Sequence, residues 1–155
     1  MLCFTSCIQK KEIQDIVKVS DSQFHGVNLG ASPKEVMVAE QGNKLGEKSN
    51  GNTFISYEFE LDGDEHYLVG YSFEEGKLYD IEADFFLDDP SRAEELFAQF
   101  KDFYTLKFGE SHVEEGYTVW NSPNDTNQVT VSLVDQSAEQ RKGGKLSLTI
   151  FKINY

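Results

Sequence analysis

Three consecutive runs decide the fold: Thr53–Leu61 (TFISYEFEL), His66–Phe73 (HYLVGYSF) and Leu78–Leu87 (LYDIEADFFL). Each alternates apolar and polar side chains, the period of a strand with one buried face. In the first run Ile55, Tyr57, Phe59 and Leu61 fall on one side, and Ser56, Glu58 and Glu60 on the other. In the second, Tyr67, Val69, Tyr71 and Phe73 share the apolar side. In the third, Tyr79, Ile81, Ala83, Phe85 and Leu87 oppose Asp80, Glu82 and Asp84. Asp62, Gly63 and Asp64 make one turn and Glu74 to Lys77 the next. Turns this short join antiparallel strands, so the reading is a meander with an acidic face toward water or a polar partner.

Working outward, Ser32 is placed to cap a helix, with Pro33 at its first position and Glu35 in its first turn. This helix runs through Val36, Val38 and Ala39 and stops by Gly42; residues 42–52 read as a loop. Downstream, Asp88 to Ser91 open a second helix, with Glu94 and Glu95 in its early turns. Ala93, Leu96, Phe97, Phe100, Phe103, Tyr104 and Phe108 recur at helical spacing, and Gly109 ends the run. This aromatic stripe reads as core packing. Strands follow at about Gly116–Asn121, Gln128–Asp135 and Lys145–Ile153. The expected fold is therefore α+β: an antiparallel sheet of about six strands with two helices on one face, in the order αβββ-αβββ. Residues 24–155 form the expected domain, with half-units of about 24–88 and 89–155.

The chain has 155 residues and a formal net charge of −13. From Ser56 to Glu115 there are 18 Asp and Glu against 4 Lys and Arg, a net of −14; the flanks carry 9 acidic and 10 basic residues, a net of +1. Acidity of this kind argues against nucleic acid as a partner. It is either a solvated surface or a face that attracts a basic partner or a divalent cation.

No catalytic constellation emerges. There is no Gly-x-Ser-x-Gly elbow and no Gly-x-Gly-x-x-Gly, and Gly143-Gly144-Lys145 lacks the spacing of a phosphate loop. His25, His66 and His112 lie on separate segments without metal-ligand spacing. His66 beside Asp64 and Glu65, and the oxygen-rich stretch Asn121–Asn127, read as turns before they read as cation sites. The pairs Glu74/Glu75, Asp88/Asp89, Glu94/Glu95 and Glu114/Glu115 each have a local explanation as turn, cap or solvated face. No catalytic residue, metal ligand or cofactor is assigned.

The first residues are MLCFTSC, followed by a polar run. Phe4 to Cys7 resembles the end of a bacterial lipobox, in which a small residue precedes a Cys that receives diacylglycerol and becomes the mature N-terminus. Cys3 and Cys7 are the only cysteines, so the expected domain holds no disulfide and no Cys-based zinc site. On this resemblance residues 1–23 are a leader remnant and tether, in which Ile13, Ile16 and Val17 have the spacing for a turn of helix. The element order, with Leu29, Gly30, Ser32, Glu35 and Val36 at the entry to the first helix, resembles a group of small bacterial domains. These are the domains like the beta-lactamase inhibitor protein and the small lipoprotein of the outer-membrane assembly machine. The resemblance implies a periplasmic, lipid-anchored envelope protein that presents sheet surfaces or loops to partner proteins.

In the strand from Gly116, placing Tyr117 and Val119 toward the helices puts Trp120 on the open face of the sheet. Phe54, Leu68 and Phe151 fall on that face by the same parity. Trp120, Phe54 and Phe151, rimmed by Glu58, Glu60, Glu82 and Asp84, form the expected binding surface for a protein or peptide. Two other readings stand beside this non-enzymatic one. They are a small-ligand or divalent-cation-binding module built on the acidic loops, and a hydrolase with an unfamiliar carboxylate site.

Overall fold

The computed structural model describes residues 13–18, 22–122 and 129–152. Cys7, the loop over 123–128 and the ends of the strands expected from Gln128 and to Ile153 lie outside them. The described chain folds as α1 (residues 13–17), α2 (Pro33–Ala39), β1 (Lys44–Lys48), β2 (Phe54–Glu60), β3 (His66–Glu74) and β4 (Lys77–Leu87). Then come α3 (Pro90–Phe108), β5 (His112–Glu114), β6 (Tyr117–Asn121), β7 (Val129–Asp135), a 3₁₀ turn (Ser137–Glu139) and β8 (Gly144–Lys152).

All eight strands join one antiparallel sheet in the order β1-β2-β3-β4-β8-β7-β6-β5. This corrects the expected six strands, two helices and αβββ-αβββ order. The two additional strands, β1 and β5, are the outermost ones. Each half is a helix followed by a four-stranded meander, and the halves meet where β4 pairs with β8, from Asp80 opposite Phe151 to Leu87 opposite Gly144. β1 is exposed along its whole length and carries a register shift between Leu45 and Lys48; β5 has three residues. Lysines, a bulge and shortness blunt both free edges.

Local chemistry places the helices. Ser32 Oγ accepts from Glu35 N at 3.2 Å while Glu35 Oε2 accepts from Ser32 N at 2.7 Å, a reciprocal cap on α2. Asp89 caps α3 by accepting from Arg92 N at 2.9 Å, and Gly109 closes it at φ +89°. Glu75-Gly76 and Glu115-Gly116 take positive φ at both positions, which suits two-residue hairpin turns between β3 and β4 and between β5 and β6. These glutamates belong to turns.

The core lies on one face of the sheet. Ile55, Tyr71, Ile81, Phe85, Leu133, Leu148 and Ile150 point into it from the strands, and Leu96, Phe100 and Tyr104 meet them from α3. Tyr79 does not join its expected partners on that face. A shift in register after Ser72 pairs Phe73 with Leu78, so Leu78 is buried and Tyr79 is 42% exposed. The core also begins upstream of residue 24, because Ile16 and Val17 are buried in it.

Candidate binding surface and a buried polar cluster

Strand pairing fixes which side chains share the outer face. One cross-strand row runs Phe54, Ser72, Asp80, Phe151, Thr130 and Asn121. The next runs Ser56, Gly70, Glu82, Thr149, Ser132, Val119 and His112. A third runs Glu58, Leu68, Asp84, Ser147 and Val134, and a fourth joins Glu60, His66, Phe86 and Lys145. Thus Phe54, Glu58, Glu60, Glu82, Asp84 and Phe151 all lie on this face. The Phe54 ring lies over Gly70, where a Cβ would stand 2.9 Å from it. The acidic and aromatic groups occupy the β2–β4 side, and Ser and Thr carpet β7 and β8.

Trp120 is not part of this surface, contrary to expectation. It pairs with Val131 on the inner face, is fully buried, and donates from Nε1 to Thr105 Oγ1 at 3.2 Å. Its ring centroid is 5.7 Å from that of Tyr104. Val119 takes the outer face instead, where its neighbours bury it. This five-residue strand carries apolar side chains on both sides, so parity alone does not fix its inner face, and the larger side chain took the core.

The carboxylates of the face differ in their partners. Glu58 is held by Lys44, and Lys145 Nζ lies 4.0 Å from Asp84 Oδ1 while resting over the Phe86 ring. Among the described residues no Lys or Arg nitrogen lies within ion-pair distance of Asp80 or Glu82. Partial burial, with repulsion from Glu82, pushes the Asp80 carboxyl up to about 6. Burial and Asp84 raise Glu82 as well, partly offset by Lys145. Neither the sequence pattern nor the row of acidic residues singled out Asp80, because the missing counter-charge appears only once the strands are paired.

A second polar group lies on the other side of the sheet, and sequence reading did not find it. His25, in the turn after α1, and Glu40, at the end of α2, have wholly buried side chains. His25 Nδ1 is 2.9 Å from Glu40 Oε1, and His25 Nε2 is 3.0 Å from the Tyr67 hydroxyl. Tyr71 donates to the same Glu40 oxygen at 2.5 Å. Asn43 Nδ2 donates to Glu40 Oε2 at 2.7 Å, with Lys18 Nζ at 3.9 Å from it. The members are separated by up to 53 positions, from Lys18 to Tyr71, and no motif joins them. His25 is sealed between the rings of Phe24 and Phe59, which excludes a substrate from it.

The acidic turn around His66 does not converge. Glu65 turns inward to Arg92 and to the Asp88 amide, and His66 stacks on Phe86. Among the described residues no three His, Cys, Asp or Glu side chains gather as a metal site. No described helix is long and apolar enough to cross a membrane. Comparison with protein-family models, curated proteins and solved structures found no match to this chain.

Proposed function

We propose that the chain is a non-enzymatic binding module whose outer sheet face docks a basic, extended segment of a partner protein. The observation that carries this reading is the unpaired couple Asp80 and Glu82 on the central strand β4. A partly buried Asp80 beside an exposed Glu82, neither in an ion pair, leaves negative charge that Lys or Arg side chains of a partner would neutralise. Phe54 and Phe151 share Asp80's cross-strand row, with Phe151 directly beside it, and aromatic faces also attract cations. An extended segment presents alternate side chains at the spacing of this face. The Phe4–Cys7 stretch adds to the proposal a lipid anchor at Cys7 and a place in the bacterial envelope.

The test uses defined peptides on the full chain. A fluorescent peptide of alternating Lys and Val is expected to bind, and its Glu–Val counterpart is not. The paired substitution Asp80→Asn with Glu82→Gln should weaken the Lys–Val peptide at least about tenfold, the loss of one charge-assisted contact. Equal binding by the variant would overturn the surface assignment. Mass measurement of the N-terminal peptide from cells, with Cys7→Ser as the control, tests the anchor.

A further inference from the structure

The two halves of the sheet are covered unequally. α3, with 19 residues, packs on β4, β6, β7 and β8. Its counterpart α2 has seven residues and buries Val36 alone. Over β2 and β3 the cover comes from residues 13–18 and 22–31, whose Ile16, Val17, Phe24, Val27 and Leu29 are buried. We infer that these residues form a strap that leaves the sheet in mildly acid solution, when the buried His25–Glu40 pair takes up protons, and so uncovers the inner face of β2 and β3.

The geometry is satisfied by one protonation state. With Glu40 ionised, Oε1 accepts from His25 Nδ1–H and Tyr71 O–H, and Oε2 accepts from Asn43. His25 Nε2 is then free to accept from the Tyr67 hydroxyl. A proton on Nε2 reverses that 3.0 Å contact, so that Nε2 donates to the Tyr67 oxygen and the buried Tyr67 O–H is left without an acceptor among the described residues. A proton on Glu40 removes an acceptor from a carboxylate that holds three donors. Either event leaves buried polar groups unsatisfied between strap and sheet.

Among the described residues, charged and titratable groups face the pair from the strap, from β2 and β3 and from α3. From the strap come Lys18, whose Nζ also lies over the Phe59 ring, and Asp15, which acts electrostatically on Tyr67. From β2 and β3 come Tyr57, Tyr67 and Tyr71, all held neutral by burial and by Glu40. From α3, Lys107 donates to Ser22 O at 2.5 Å. The three tyrosines, raised above their ordinary range, stay neutral throughout acid solution. Burial lowers His25 despite Glu40 beside it, and the donors around Glu40 lower that carboxyl despite its burial. Both shifts have the same sign. The closed strap is favoured fully above the ordinary His value of 6.5, and the advantage fades as pH falls below it. Glu40 adds a further loss below its ordinary 4.5.

Hydrogen exchange on the full chain, corrected for the intrinsic pH dependence of exchange, reads the opening. The amides of Lys18, His25 and Val27 bond within the strap. Their protection should fall by up to about tenfold per pH unit below 6.5, while β8 and α3 hold theirs. In His25→Gln the fall should be absent down to pH 5. A loss spread evenly over the chain, or an undiminished loss in His25→Gln, would overturn the strap. Should that variant fail to fold, ¹⁵N signals of the His25 ring in the unmodified chain decide. Ring protonation must track strap opening, and a ring that stays neutral while the strap opens, or protonates while it stays closed, sinks the inference.

Discussion

Glu65 Oε1 and Arg92 Nε lie 3.1 Å apart, tying the end of the β2–β3 hairpin to the first turn of α3. The other oxygen of Glu65 accepts from the Asp88 amide at 3.0 Å, so one buried carboxylate holds the approach to the long helix. Glu65→Ala leaves both donors without it and should cost about 1–3 kcal/mol in urea unfolding. Glu65→Gln keeps the shape and one acceptor and should cost less. An Ala variant as stable as the parent would show that solvent replaces these contacts without loss.

Trp120 separates stability from binding. Trp120→Ala empties a large core site and should destabilise by about 3–5 kcal/mol. Because its ring faces α3, the folded variant should bind the Lys–Val peptide as tightly as the parent. A variant folded at the assay temperature but unable to bind would place Trp120's influence on the wrong side of the sheet.

Tyr104 gives a prediction of opposite sign. Its hydroxyl is buried among Phe100, Phe103, Phe108 and Trp120 and has no hydrogen-bond partner among the described residues. Burial raises its ionisation far above the ordinary tyrosine range. Tyr104→Phe removes the unsatisfied group and should be neutral or stabilise by up to about 1 kcal/mol. Thermal unfolding of the pair checks this, and a marked loss would reveal a partner for the hydroxyl.

The carboxyl of Asp80, near 6, makes docking of a cation depend on pH. Its raised value means that the free face holds a proton more readily than the ordinary 3.8 would allow. The carboxyl is therefore only half ionised at about pH 6, and the peptide should bind more tightly as pH rises through that value. In Asp80→Asn the dependence near 6 should vanish. Titrations of peptide affinity from pH 5 to 7.5 check both statements.

Gly144 sits where β8 passes under the start of α3. A Cβ there would stand 2.4 Å from the Asp89 carbonyl oxygen and 3.0 Å from Ala93 Cβ. The oxygen belongs to the helix cap and cannot swing away like a flexible side chain. Gly144→Ala should cost about 1–3 kcal/mol, measured by denaturant unfolding.

Much of the scaffold was legible because its signals are local. Ser32 and Asp89 announce their helices by capping chemistry, and β2 and β3 announce themselves by strict alternation. β1 escaped because Lys44–Lys48 has a single large apolar residue, Leu45, and never enters the core. β5 escaped because three exposed residues give no period. Trp120 and Tyr79 depended on register, which a short strand or a bulge resets without any mark in composition. The His25–Glu40 cluster depended on the packing of a loop against a sheet, and Asp80 on what its neighbours failed to supply.

The seam between β4 and β8 has a consequence in time. β4 ends at Leu87, and its partner is the last strand of the described chain. A chain emerging from the ribosome can close β1 to β4 through local hairpins, but must then wait for the remaining strands with the long edge of β4 unpaired. Asp80, Glu82 and Asp84 stand along that waiting edge. Charge at such an edge discourages strand-to-strand association with other nascent chains. The same carboxylates that shape the finished surface therefore guard the half-made sheet until β8 arrives.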